Sequence, residues 1–196
     1  MLKNISYYLR YLDILDQSPD IDLNNTINGV KFDSRLVGQG DIFVAVAGEY
    51  ADGHQFIGSA VKNGAVLVIG TRLVDTAIER FPYVRVANSQ AALAKMAAAF
   101  YDFPAKKQKM IGVTGTDGKT TTCNLIFNIL KTAGYPTGLI TTVNAMIGES
   151  VLDTGLHVTT PPTTEIQYYL YEMVNHGIEY VILEATSHGL DQHRVD

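Results

Sequence analysis

The 196 residues are 46% hydrophobic and 18% charged, with 20 acidic against 15 basic side chains and a formal charge of -5. That balance suits a globular protein with real cores, and the scattered basic residues speak against a nucleic-acid binder, which usually shows a basic face. A single cysteine, Cys123, rules out an intrachain disulfide and fits a reducing cytoplasm, and no apolar run reaches the roughly 18 residues of a membrane span.

Apolar Ile5, Tyr8, Leu9, Leu12 and Leu15 recur at helical spacing, which predicts a helix over Ile5–Leu15. Asn24–Asn28 reads as a polar turn. Val30–Phe32 and Asp41–Ala47 read as short strands separated by the loop Asp33-Ser34-Arg35 and Gly38–Gly40. Gly53–Asn63 suits a helix closed by Gly64, and the apolar run Ala65–Ile69 suits a buried strand. Tyr83–Val86 is a further strand. Asn88 or Ser89 then caps a helix with Leu93, Met96, Ala97 and Phe100 on one face, ended by Phe103-Pro104. Ala105–Lys109 is a polar, lysine-rich joint, which sets a domain boundary near residue 108.

The second part opens with a strand over Met110–Thr114, a turn at Gly115–Gly118 and a helix from Lys119 to Ala133. Leu125, Ile126, Ile129, Leu130 and Ala133 are its expected inward face. Leu139–Val143 is the next strand. Thr160 or Thr164 is expected to cap a helix carrying Ile166, Tyr169, Leu170, Met173 and Val174, with Pro161 in its first turn. Tyr180–Leu183 reads as a buried strand ending at Glu184. Strands alternating with helices give an α/β class on both sides of the boundary. With three or four strands in this part, and no element after His193-Arg194-Val195-Asp196, the second domain is expected to continue beyond Asp196.

The strongest signal is Ile111–Thr122, IGVTGTDGKTTT. A strand, a glycine-bearing turn and Lys-Thr opening a helix make an anion cradle. Gly115 and Gly118 let the backbone turn sharply and bring amides close to phosphate oxygens. The helix N-terminus adds unsatisfied N–H donors and partial positive charge. Lys119 supplies a full charge for β- and γ-phosphates, and the Thr120 hydroxyl is suited to Mg²⁺. Val113, where the standard G-x-x-x-x-G-K-[ST] pattern has glycine, marks a compact variant of that loop.

Gly115–Thr121, in the form G-T-x-G-K-T-T, resembles the nucleotide loop of the Mur ligase superfamily. Asp117 stands where that loop usually has Asn. Phe32-Asp33-Ser34-Arg35, Gly40–Ala45 and Gly48–Gly53 (GEYADG) resemble segments of the family's N-terminal domain that hold a uridine diphosphate. Thr159-Thr160-Pro161 resembles its T-T-P segment. Glu184–Val195 (EATSHGLDQHRV) is similar to the E-V-S-S-H-G-L-x-Q-x-R-V stretch of the muramoyl-tripeptide synthetases, the most specific of these matches.

The resemblance implies a small α/β domain over 1–108 that binds the UDP end of a substrate. A P-loop, Rossmann-like domain with a mostly parallel sheet, present in part, would follow over 109–196. It implies ATP and Mg²⁺ as cofactors, with Gly115, Thr116, Asp117, Gly118, Lys119, Thr120 and Thr121 around the phosphates. Lys119 and Glu184 would be catalytic, and Thr120 and Glu184 the metal ligands. A carboxylate ending a buried strand near a phosphate loop is chemically suited to that role. Ser34 and the Glu49-Tyr50-Ala51 loop would contact the UDP end. Thr159, Thr160, Thr186, Gln192 and Arg194 would contact the sugar or peptide end. Thr186 stands where Ser is usual and keeps the hydroxyl, whereas Val158 replaces an Asn of some members.

The implied activity is ATP-dependent joining of a third amino acid to UDP-N-acetylmuramoyl-L-alanyl-D-glutamate through an acyl phosphate. The protein would be a cytoplasmic monomer with no nucleic-acid or membrane partner. A carbamylated lysine, a further metal-site histidine and the amino-acid-binding domain belong downstream in the family, so these residues alone are not expected to turn over. Two other readings stand beside this one: a folylpolyglutamate synthase, and a non-catalytic nucleotide-binding module. Several flagged residues have plainer readings. His188 and His193 suit hydrogen-bonded structural roles, Ser34 a turn cap, Arg35 a solvated charge, and Thr163 and Thr164 a helix start.

Overall fold

The structure is a computed structural model and describes residues 3–48, 51–73, 81–142, 144–148, 150–153 and 161–195, with backbone alone at 151–153. The chain folds as two compact units, Met1–Phe100 and Tyr101–Asp196.

In the first unit, β2 (Gly29–Lys31), β3 (Asp41–Val44), β4 (Leu67–Gly70) and β5 (Tyr83–Val86) pair in parallel, and β1 (Ile14–Gln17) adds antiparallel to β5. Strands β3 and β4 are buried along their whole length, β4 as an unbroken apolar run and β3 with the buried Asp41 at its start. Helix α1 covers only Ile5–Leu9, which corrects the longer helix expected from periodicity. Asn4 caps it, and Ile14 then pairs with Val86, so ladder formation with β5 wins over the helical pattern of Leu12 and Leu15. Ser34–Leu36 is a 3-10 turn capped by the Asp33 carboxylate, not by Ser34. The expected helix from Gly53 starts as a 3-10 turn, Gly53–Phe56, and becomes α2 at Ile57–Asn63. Gly64 closes α2 at φ 111°, a left-handed conformation suited to glycine. Helix α3 (Ser89–Phe100) is capped by Asn88, whose Oδ1 accepts from the Gln90 and Ala91 amides.

The second unit has a sheet in the order β6-β10-β7-β8-β9, formed by β6 (Lys109–Val113), β7 (Thr137–Ile140), β8 (Asn144–Ile147), β9 (Ser150–Asp153) and β10 (Tyr180–Glu184). The pairs β6–β10 and β10–β7 are parallel, while β7–β8 and β8–β9 are antiparallel. The β8–β9 hairpin, turning at Gly148 with φ 61°, brings the strands to five against the three or four expected. Ala105–Lys109, expected as a polar joint, forms a 3-10 turn over Pro104–Lys107 that runs straight into β6.

Helix α4 spans Lys119–Thr132. Its buried residues are Cys123 and Phe127, packed with Leu139 and Ile182. Each fully buried side chain of that size contributes about 1.5–3 kcal/mol. Leu125 and Ile129, expected to face inward, are 59% and 67% exposed: the buried stripe runs one step round the helix from the predicted face. Helix α5 (Thr163–Asn175) has Pro162 at its N-cap position and no side-chain cap, so Thr164 lies inside the first turn and Pro161 precedes the helix. Thr160 lies outside the described residues. A short helix, α6 (Ser187–Asp191), follows β10.

Candidate functional site

The turn after β6 takes the shape its glycines permit. Gly115 has φ 150° and Gly118 has φ 76°, and a Cβ on Gly118 would meet nothing within 4 Å. Crowding therefore does not demand glycine at 118; backbone conformation and open approach do. Thr116, Asp117, Gly118 and Thr121 are exposed. Among the described residues, no acceptor takes the amides of Thr116 to Thr121; the first helical bond runs from Thr122 N to Gly118 O. These are the orphan donors of a helix start, pointing away from internal partners. Lys119 Nζ donates to the carbonyl oxygens of Gly115 and Thr116, each at 2.9 Å, and so folds back over its own loop.

Thr120 and Glu184 are 64 residues apart in sequence, and the sheet brings them together. Parallel pairing sets Glu184 opposite Val113, the last residue of β6, so the end of β10 lies beside the loop. The Thr120 hydroxyl donates to Glu184 Oε2 at 2.9 Å and lies 3.1 Å from Oε1, and the Thr142 amide donates to Oε2 at 3.3 Å. Glu184 is 3% exposed, and among the described residues no ion pair reaches it. A buried carboxylate met by one hydroxyl and one amide offers the oxygen donors that a hard divalent ion takes. The donor set therefore fits Mg²⁺: a carboxylate and a hydroxyl beside a run of free amides. Its negative charge also reaches Cys123. Burial first, then Glu184, pushes that thiol up to about 11, so Cys123 stays protonated and inert.

The remaining predicted residues divide. Thr186 caps α6, its hydroxyl oxygen accepting from the Gly189 amide at 3.0 Å. Gln192 Oε1 accepts from Arg194 Nε at 2.9 Å and from an Arg194 terminal nitrogen at 2.6 Å, and Gln192 Nε2 lies 2.7 Å from His188 Nε2. Gln192 therefore orients Arg194, and burial lowers the Arg194 guanidinium from its ordinary value. His193 adopts φ 54°. In the first unit, Ser34 is buried, with its carbonyl accepting from Asn63 Nδ2, and Ala51 is exposed. Arg35 pairs with Asp33 at 2.6 Å with 85% of its side chain exposed, as a solvated charge would. Glu49, Tyr50, Thr159 and Thr160 lie outside the described residues.

Sequence reasoning missed His54. Its side chain is 4% exposed and ties Asp52 to Thr71. The only early signal was its place beside the GEYADG loop. A cavity of about 460 Å³ lined by Lys106, Lys107, Gln108 and Lys109 lies at the start of β6, the end of the strand opposite the glycine turn. Its lysines already engage Phe103, Asp102 and Tyr180.

A strand–turn–helix anion cradle beside a buried carboxylate, preceded by a separate α/β unit, defines a class, and comparison with known families agrees with it. The family model described as "Mur ligase family, catalytic domain" matches residues 26–101, and "Mur ligase middle domain" matches residues 113–196. The chain belongs to the Mur ligase family. Among its relatives, a UDP-N-acetylmuramoyl-L-alanyl-D-glutamate--2,6-diaminopimelate ligase of Phocaeicola vulgatus is 40% identical over 174 residues, covering 89% of this chain and 36% of the relative. The chain thus spans about a third of that relative's length. A solved structure of a ligase with the same name superposes with a TM-score of 0.78 over 100% of this chain and 38% of that one, at 24% identity, a likeness of fold. The MurF ligase of Thermotoga maritima, solved in complex with ADP, matches 82% of this chain and 32% of its own at 29% identity and a TM-score of 0.50.

Proposed function

We propose that this chain supplies the uridine-diphosphate-binding and ATP-phosphate-binding parts of an ATP-dependent carboxylate–amine ligase. That enzyme adds the third amino acid to UDP-N-acetylmuramoyl-L-alanyl-D-glutamate in the cytoplasm, as a monomer. The observation that carries this reading is the open glycine turn with unbonded amides, Lys119 and the adjoining Thr120–Glu184 pair. The name of the 40%-identical relative supports the substrate, and the ADP complex of the MurF neighbour supports the nucleotide.

The chemistry follows from what a carboxylate lacks: it is a poor acylating agent. A D-glutamyl carboxylate oxygen forms a bond to the γ-phosphorus as the bond to the ADP oxygen breaks, leaving an acyl phosphate. The amine nitrogen of the incoming amino acid then bonds to that carbonyl carbon, inorganic phosphate departs with the electron pair, and the amine loses a proton. In the first step the amides of Thr116–Thr121 and the Lys119 ammonium hold the phosphate oxygens as charge moves onto ADP. Lys119 needs only to exchange two loop carbonyls for phosphate oxygens. Thr120 and Glu184 would hold Mg²⁺, which, when bound, neutralises phosphate charge. Arg194, fixed by Gln192, is suited to a substrate carboxylate or phosphate through two N–H groups.

Titration calorimetry on this chain tests the reading. ADP with Mg²⁺ and UDP-muramoyl dipeptide should each bind. Lys119→Ala should weaken ADP alone, and Arg194→Ala should weaken the dipeptide alone. Equal loss of both ligands in either variant, or no binding by the unmodified chain, would overturn it. Phosphate release in the presence of dipeptide, ATP and amino acid should stay at background for these 196 residues, which span about a third of the length of the 40%-identical relative.

A further inference from the structure

We propose that the cavity at the start of β6 is a binding site for a small hydroxylated phosphate monoester, a sugar phosphate in chemical class. It lies at the end of the strand opposite the glycine turn, and the proposal does not rest on the nucleotide reading above.

Two segments form the cavity, and the sheet fixes their spacing. One is the end of the Pro104–Lys107 turn with Gln108 and Lys109; the other is the end of α5 with the connection to β10. Parallel pairing sets Lys109 opposite Tyr180. The Lys109 amide donates to Glu179 O at 2.8 Å, and Gln108 Nε2 donates to Ile178 O at 3.3 Å. The volume, about 460 Å³, falls within the roughly 300–1,000 Å³ of small-molecule pockets.

Charge selects an anion. Lys106, Lys107 and Lys109 line the cavity with a single carboxylate, Glu179. Helix α5 does not need these lysines as caps, because the Glu172, Met173 and Val174 carbonyls already accept from the His176, Ile178 and Gly177 amides. Lys107 pairs with Asp102 at 2.7 Å, whereas Lys106 and Lys109 have no carboxylate partner among the described residues. Lys106 Nζ sits 4.5 Å from the centre of the Phe103 ring, and Lys109 Nζ donates to the neutral Tyr180 hydroxyl at 2.9 Å. An ammonium has three N–H groups, so both lysines keep donors for phosphate oxygens.

A second feature asks for a hydroxyl on the same ligand. Gln108 Oε1 is buried and has no hydrogen-bond partner. The other amide atom meets the Ile178 carbonyl oxygen, so that atom is the nitrogen and the open one is the acceptor. Buried acceptors are seldom left unmatched. A phosphate dianion has no hydrogen to give, but a sugar hydroxyl does. Half-buried Val174 offers an apolar wall to the C–H face of such a ring.

The test is an amide NMR titration of this chain with glucose 6-phosphate at pH 8, where phosphate monoesters are largely dianions. The Gln108, Gly177, Ile178 and Glu179 signals should shift together and saturate, and glucose alone should give no saturable shift. Lys106→Gln combined with Lys109→Gln, both exposed side chains, should weaken binding about tenfold or more. Ethyl phosphate, which has no hydroxyl to donate, should bind the unmodified chain about fivefold more weakly than glucose 6-phosphate, and Gln108→Met should erase that preference. Saturation confined to the Gly115–Thr121 amides, unchanged affinity in the lysine variant, or glucose binding as tightly as its phosphate would overturn the proposal. Equal affinity for the two esters in the unmodified chain would overturn the ligand class, and that comparison decides even if Gln108→Met does not fold.

Discussion

The two glycine-bearing loops solve opposite problems. In the first unit, Gly53 is packed shut: a Cβ there would lie 2.8 Å from both the Val46 nitrogen and oxygen. In the second, a Cβ on Gly118 would meet nothing within 4 Å, and the nearest atom to one on Gly115 would be 3.9 Å away. One loop is closed by its own backbone and by a histidine bonded at both nitrogens. Among the described residues, the other leaves its amides without partners. Glycine therefore signals dense packing in one place and open approach in the other, and sequence alone cannot tell the two apart.

Substitution should separate them, and the largest effect belongs to the packed loop. Gly53→Ala forces a methyl onto backbone that cannot give way, and should cost about 3 kcal/mol by chemical denaturation. A cost under half that would mean the loop is looser than its hydrogen bonds indicate. In the open unit the effect should fall on ligand before stability. Glu184→Gln alters the buried carboxylate that accepts from Thr120 and Thr142. The Mg²⁺-dependent part of ADP affinity, about tenfold or about 1.4 kcal/mol, should vanish while the melting temperature holds or rises. Retained Mg²⁺ dependence would place the metal elsewhere. Gly118→Ala should cost only about 1 kcal/mol, from strain at positive φ, because space is free. A cost equal to that of Gly53→Ala would erase the contrast between the loops.

A smaller, pH-dependent effect should mark the second core. The Cys123 thiol is pushed up to about 11 in the fold, against an ordinary value near 9. The unfolded thiol ionises first, so its contribution to stability is complete below pH 9 and is lost as pH rises through 11. The melting temperature should fall across that window, and less steeply in Cys123→Ala, each protein compared with its own value at pH 8. Parallel slopes would show that Cys123 contributes nothing there. The smallest effect is expected at Arg35→Ala: an exposed partner of Asp33 should leave melting unchanged, and a clear shift would give that pair a role its exposure denies.

Much of this fold was legible because its strongest elements carry local signals. The continuous apolar run Ala65–Ile69 marked β4, Tyr180–Leu183 read as the buried strand β10, and Asn88 or Ser89 marked the start of α3. The failures share a cause. At β1 and β5 a ladder overrode the helical spacing of Leu12 and Leu15. The β8–β9 hairpin consists of four-residue strands too short for a period to stand out. The α4 stripe turned one step, toward Cys123 and Phe127, because packing on Leu139 and Ile182 sets it. At the site, the glycine turn and Lys119 were visible as a contiguous string, whereas the role expected of Glu184 came from resemblance. Its contact with Thr120 depends on the register of β6 with β10, which no local pattern encodes. His54 was illegible for the same reason, since its partner Thr71 sits 17 residues away.

The lysine that folds over its own turn bears on which anions can settle there. Two of the three Lys119 ammonium N–H groups go to carbonyl oxygens of its own loop. An anion bound there would draw those N–H groups from the carbonyls to its own acceptors. A polyphosphate, with acceptor oxygens at several points along its chain, would reach the ammonium and the loop amides together.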